Sequence, residues 1–226
     1  MILSYRVEDG VRLGTLLWEF GPGHRAISSA LLGGGIGPVG WVVNAQVAAG
    51  YSRMDPAEHL RSLAPAGRGV GMMTAAYVSR YVRARDGGVE AVATVGLRVP
   101  TWAAASPGSA DAELRPIRVG TINVVATLPV ALSDAALVNA VMTVTEAKTQ
   151  ALVETGFQGT GTASDAVCVV VPSAGEEEPF CGPRSTWGAR LARAVHQAVR
   201  RGAEDWREVA ARVDYEPLAR PIEPTP

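Results

Sequence analysis

The chain has 226 residues, 47% of them hydrophobic and 19% charged, with a formal net charge of -1. That is enough apolar material for one substantial core, and the near-neutral charge supplies no field to draw nucleic acid or anionic lipid. No apolar run approaches the ~20 residues of a membrane-spanning helix, and Met1–Glu8 lacks the basic and apolar regions of a signal sequence, so a cytoplasmic protein that binds neither nucleic acid nor membrane is expected.

The first elements read as sheet. Residues 2–7 and 11–18 alternate apolar and polar around Asp9-Gly10, a strong hairpin signal. A strand over about 25–32 runs into Gly33-Gly34-Gly35-Ile36-Gly37-Pro38, and another, 41–47, follows. The glycine run is either a wide hairpin loop or a place where backbone approaches a strand or a ligand closely. Asn44 falls among apolar neighbours in the second strand, so its amide needs a hydrogen-bond partner, from backbone or a substrate amide. Asp55-Pro56-Ala57-Glu58 reads as a capped helix start, Asp55 being the N-cap.

Val70–Met73 reads as a short strand, Ala75–Arg85 as a helix with Tyr77, Val78, Tyr81 and Val82 at helical spacing, and Val89–Leu97 as a strand. Residues 98–118 form a long connection carrying Pro100, Pro107 and Pro116, a lid over the site or a plain surface loop. Its Trp102 is either a stacking platform for a flat ligand or an anchor.

Residues 119–171 hold most of the chemistry. The strand 119–127 carries Thr121 and Asn123 two residues apart, hence on one sheet face. The helix 133–155 opens on Ser133-Asp134 and stops at Gly156. Leu137, Val141, Val144 and Leu152 form its buried stripe and Lys148 lies inside that stripe, its ammonium either snorkelling out or working in a site. Glu146 lies about 160° around the axis from Lys148, so the helix is contacted on two sides or one charge is solvated. The loop Gly159-Thr160-Gly161-Thr162-Ala163-Ser164-Asp165, ahead of the strand Ala166–Val171, offers amides, hydroxyls and a carboxylate, as a cradle for a ligand or as a tight turn. It leads into a strand and lacks Gly-Lys-Ser/Thr, which excludes a phosphate-binding P-loop.

Beyond it, Glu176-Glu177-Glu178 reads as a solvated charge run and Thr186–Arg201 as an amphipathic helix burying Leu191, Ala194, Val195 and Ala198. A shorter helix over 203–213 and a Pro-rich tail from Tyr215 follow. The division is therefore a main domain over 1–201 and a C-terminal appendage over 202–226. Cys168 and Cys181 do not make a disulfide framework, and His24, His59 and His196 show no metal-ligand spacing. Reduced thiols and no protein-bound metal or other cofactor are expected.

The fold class this pattern supports is a single layered α+β domain, its mixed or antiparallel sheets flanked by helices. Two sheets between helix layers, as in self-processing aminopeptidases and ornithine acetyltransferases, fit the same strand–helix–strand order.

Gly120-Thr-Ile-Asn123, Thr145-Glu-Ala-Lys-Thr149, Gly159–Asp165 and Pro179-Phe-Cys-Gly-Pro183 resemble, in order and spacing, the adenosylcobinamide amidohydrolase (CbiZ) family. Ser28-Ser29, Gly33-Gly34-Gly35, Trp41–Asn44, Asp55–Glu58 and Thr101-Trp102-Ala103 look like the same family, so the likeness covers about residues 25–201. It implies hydrolysis of the amide joining aminopropanol to a corrin side chain of adenosylcobinamide, with the cobalt corrin as substrate. A corrinoid-binding or carrier domain that cleaves nothing is the alternative. Amide hydrolysis needs an activated nucleophile, a polarised carbonyl and a proton for the departing amine. No Ser-His-Asp pattern is visible. The candidates for that chemistry are Glu146, Lys148, Thr121 and Asp165, and those for holding substrate are Asn44, Asn123, Thr145, Gly161, Thr162, Ser164 and Trp102.

Overall fold

Residues 1–48, 50–105 and 120–212 are described by a computed structural model. Asp9 and Gly10 both take positive φ, 49° and 77°, as a two-residue turn matched to strand twist requires, and they join β1 (Ile2–Glu8) to β2 (Val11–Glu19). Next come β3 (His24–Ser28), β4 (Gly35–Pro38) and β5 (Trp41–Gln46). The glycine run is thus not a loop joining two paired strands. Its second half is β4, paired with β3, while β5 belongs to the other sheet. Close approach of backbone is what Gly33 and Gly34 serve: a Cβ on Gly33 would overlap the Gly69 carbonyl and one on Gly34 the Ala30 carbonyl, and Leu32 exchanges backbone hydrogen bonds with Gly71.

Helix α1 (Pro56–Leu63) follows with Pro56 in its first turn, and then β6 (Gly69–Thr74). Asp55 precedes α1 but makes no side-chain cap bond, because its carboxylate is taken by Arg53. The helix expected over 75–85 does not form. A 3₁₀ turn, Val78–Arg80, leads into β7 (Val82–Asp86), where Ala84 is buried between exposed Arg83 and Arg85. The period of two, the β-branched Val82 and a Gly87-Gly88 turn with positive φ at both residues favour a hairpin with β8 (Val89–Val95) over the competing helical spacing.

The rest is β9 (Ile122–Thr127), β10 (Ala131–Leu132), α2 (Asp134–Glu154), β11 (Ala166–Pro172), β12 (Glu177–Glu178) and α3 (Thr186–Arg212). Ser133 caps α2 by accepting from Ala136 N, and Gly156 follows its end with φ 78°. Residues 177–178 form a parallel pair with β10, and Glu178 accepts from Trp187 Nε1, so that run is partly structural. Helix α3 is continuous across Gly202, where a break was expected. The glycine lies 2.5 Å, as judged for an added Cβ, from the Val95 side chain, and it serves helix–sheet approach. Residues 106–119, most of the connection expected as a lid or surface loop, and residues 213–226, which include the expected Pro-rich tail, lie outside the described residues.

The strands form a four-stranded sheet, β1-β2-β5-β6, and a six-stranded sheet, β4-β3-β11-β9-β8-β7, besides the small β10-β12 pair. Leu16, Trp18, Val42, Val70 and Met72 of the first meet Ala26, Val92, Val125, Cys168 and Val170 of the second in the layer between them. The outer face of the six-stranded sheet, with Val89, Ile122, Val124 and Val169, packs on α2 and α3 through Leu137, Val144, Leu152, Leu191 and Val195. Trp41, Val43 and Ala45 carry Leu60 of α1 on the outer face of the other sheet. Two sheets lie between helix layers in an α+β fold, as the strand–helix order suggests. Among the described residues no helix is long and apolar enough to cross a membrane.

Candidate active site

β5 and β6 run parallel, as do β9 and β11, and the other neighbours within the four- and six-stranded sheets are antiparallel. At the end of the sandwich where β5, β6 and β8 finish and β9 and β11 begin, polar side chains cross the six-stranded sheet from the helix layer to the space between the sheets.

On the helix side, Lys148 Nζ donates to Asp165 Oδ2 in a close ion pair, with side chains only 9% and 10% exposed. The ammonium does not snorkel to water. Asp165 also accepts from Ile122 N (2.8 Å), Thr162 N (3.1 Å) and Thr162 Oγ1 (2.5 Å). With four donors its carboxylate is committed to tying the glycine loop to α2 and to the start of β9. Gly161 lies against this pair so closely that a Cβ would overlap Asp165 Oδ2 and crowd Lys148 Nζ.

At the edge, Thr121 Oγ1 and Ser164 Oγ share a hydrogen bond of 2.9 Å, and Ser164 also donates to Gly120 O at 3.4 Å. Thr121 is buried and Ser164 exposed, so the pair runs from interior to surface. The glycine loop bonds to the chain around Trp102: Thr101 N donates to Gly161 O (2.8 Å), Thr160 N to Thr101 O (2.9 Å) and Ala103 N to Thr160 Oγ1 (3.0 Å). Trp102, 46% exposed, is therefore held beside Gly161.

Between the sheets, Asn123 Nδ2 donates to Asn44 Oδ1 and to Met73 O, both at 2.8 Å, and Asn44 Nδ2 donates to Thr94 Oγ1 at 2.9 Å. These residues prolong the interlayer faces of their strands and replace its apolar packing at this end.

Two candidates are not brought here. Thr145 and Glu146 are exposed. Thr145 Oγ1 bonds back to Val141 O in its own helix, and Glu146 lines a groove of about 680 Å³ between α2 and α3 with Asp86, Arg193, His196 and Arg200. The reason is helical geometry: Lys148 faces Asp165, and a residue about 160° away must face elsewhere.

Thr94 was not singled out in the sequence, where it is one small polar residue in an apolar strand; its pairing with Asn123 across β8 and β9 is what marks it. Nor was a second constellation, on the outer side of the four-stranded sheet. Buried His59 meets Glu8 Oε1 through Nε2 (2.8 Å) and the Tyr51 hydroxyl through Nδ1 (3.0 Å). Glu8 also accepts from Arg6, whose hydrogen bond holds the Glu8 carboxyl below the usual range against burial, aided by His59. Both cysteines are buried, and burial pushes the Cys168 thiol up to about 12 and the Cys181 thiol up to about 11.

The family described as adenosylcobinamide amidohydrolase (CbiZ) matches residues 2–211. A Halobacterium salinarum protein named adenosylcobinamide amidohydrolase is 41% identical over 121 residues, 52% of this chain and 51% of that protein. A Methanosarcina mazei protein of the same name is 29% identical over 192 residues, 79% of this chain and 90% of that one. An uncharacterized Methanocaldococcus jannaschii protein is 34% identical over 89 residues, 36% and 34% of the two chains. The match thus spans about half the length of the Halobacterium relative and nearly all of the Methanosarcina one.

Proposed function

The chain belongs to the adenosylcobinamide amidohydrolase family, and from that membership we propose that it hydrolyses the amide joining aminopropanol to a corrin side chain of adenosylcobinamide, yielding adenosylcobyric acid in corrinoid salvage. The observation that carries this reading beyond family likeness is convergence. Gly120–Asn123, Lys148 and Gly159–Asp165, separate in sequence, meet at one end of the sandwich with Asn44 and Trp102.

In this reading Thr121 and Ser164 supply the hydroxyls that face the scissile carbonyl. Asp165 and Lys148 position them: Asp165, next to Ser164 in the chain, pins Ile122, next to Thr121, and also Thr162, and Lys148 fixes Asp165. Water supplies OH to that carbon, the C–N bond breaks, and the departing nitrogen takes the proton. Trp102 offers its ring to the flat macrocycle beside the glycine loop. Hydrolysis of this kind needs no resident cofactor; the cobalt belongs to the substrate.

Incubating the protein with adenosylcobinamide and following aminopropanol by mass spectrometry tests the reading. Release by the wild type and a fall of at least ~100-fold in Thr121→Val, with corrinoid binding retained, is the expected result. Tight binding without release by the wild type would instead identify a carrier domain.

A further inference from the structure

Asn123 carries an atom that nothing satisfies. Both protons of its Nδ2 are used, by Asn44 Oδ1 and Met73 O, and the Met73 carbonyl decides the orientation, because turning the amide over would set oxygen against oxygen. Oδ1 therefore points away from these partners. It is buried, in a residue 1% exposed, and no donor among the described residues reaches it. Leaving a buried acceptor unmade is costly, so such an atom in a candidate active site calls for a donor from outside.

The surroundings select the donor. The network that holds the Asn123 amide, made of Asn44, Thr94 beyond it and the Met73 carbonyl, is neutral throughout and supplies no counter-charge for a desolvated ammonium, which suits a neutral N–H donor. Asn123 lies two residues from Thr121 on the same face of the chain entering β9, about 7 Å along the strand. In a trans amide the carbonyl and the N–H point in opposite directions, so one amide lying across this interval presents its carbonyl towards Thr121 and its N–H towards Asn123.

We propose that Asn123 Oδ1 accepts the N–H of the scissile amide, and that Thr94 and Asn44 are positioning residues that hold it for that purpose. This rests on the amide-hydrolase reading. The contact discriminates a secondary amide from an ester or a tertiary amide at the same position, and it stays with the nitrogen as the C–N bond breaks. Thr94 acts at one remove: its hydroxyl oxygen fixes Asn44, whose Oδ1 fixes Asn123.

The experiment compares adenosylcobinamide with an analogue in which an ester oxygen replaces the scissile N–H. Dissociation constants are read from corrinoid absorbance in a stopped-flow mix before turnover. Wild type is expected to bind the amide about tenfold more tightly than the ester, the worth of one buried hydrogen bond. Asn123→Ala is expected to bind both alike. Thr94→Val, nearly isosteric, should lose most of the preference and Thr94→Ser should restore it, which keeps the test open if Asn123→Ala does not fold. A preference absent from wild type, or intact in folded Asn123→Ala or Thr94→Val, overturns the proposal while aminopropanol release by wild type leaves the hydrolase reading standing. No release from wild type overturns both.

Discussion

The Lys148–Asp165 pair shows what a buried charge can be for. Removing one member of such a pair usually costs about 3–5 kcal/mol by stranding the other, but Asp165 keeps three further donors, so Lys148→Met is expected to lower stability by about 2 kcal/mol in urea denaturation. A side chain that snorkelled would show no loss. Gly161→Ala is expected to cut aminopropanol release by at least ~10-fold, because the added methyl group separates the pair and shifts the loop carrying Ser164. Glu146→Gln, in the groove on the other flank of α2, should leave release within about twofold of wild type.

At the scale of elements, Glu8, His59 and Tyr51 clasp β1, α1 and the segment leaving β5. Arg6 strengthens the clasp by bonding Glu8, Thr15 and the Gln46 carbonyl. Because the folded Glu8 carboxyl is held below its usual range, its contribution to stability is complete above the unfolded value, roughly pH 4.3, and is lost as pH falls through the folded value. Thermal melts of wild type and Glu8→Gln should therefore differ most at neutral pH and converge as pH drops below about 4.

On the scale of the whole molecule, α3 closes the helix layer along its full length. Beyond Arg201 it buries Ala203, packs Trp206 against the core, pairs Asp205 with Arg80 and places Arg207 on the Thr155 carbonyl. A chain ending at 201 is expected to melt at least ~10 °C lower than the full chain, whereas one ending at 214 should melt within about 2 °C of it, since the Pro-rich segment has little apolar surface to offset its ordering entropy. Circular dichroism melts of the three chains check both expectations.

Elements governed by neighbours in sequence were legible in advance. The Asp9-Gly10 hairpin, the Ser133 cap, the stop at Gly156 and the inward face of α3 each depend on backbone preferences or periodicity within a few residues. The segment 75–85 was not, because its helical and strand spacings compete locally and only pairing with β8 resolves them. The site divides the same way. Thr121 and Asn123 share a face by strand geometry alone, and the polar residues on buried elements announced that partners were needed. Which partner each took was decided by contacts across the fold: Lys148 with Asp165 17 residues on, Asp165 with Ile122 43 away, Asn44 with Asn123 79 away, and Glu8 with His59 51 away. Periodicity tells which way a side chain faces along its own element. What stands opposite is set by how the sheets and helices stack, and that stacking is a property of the whole chain.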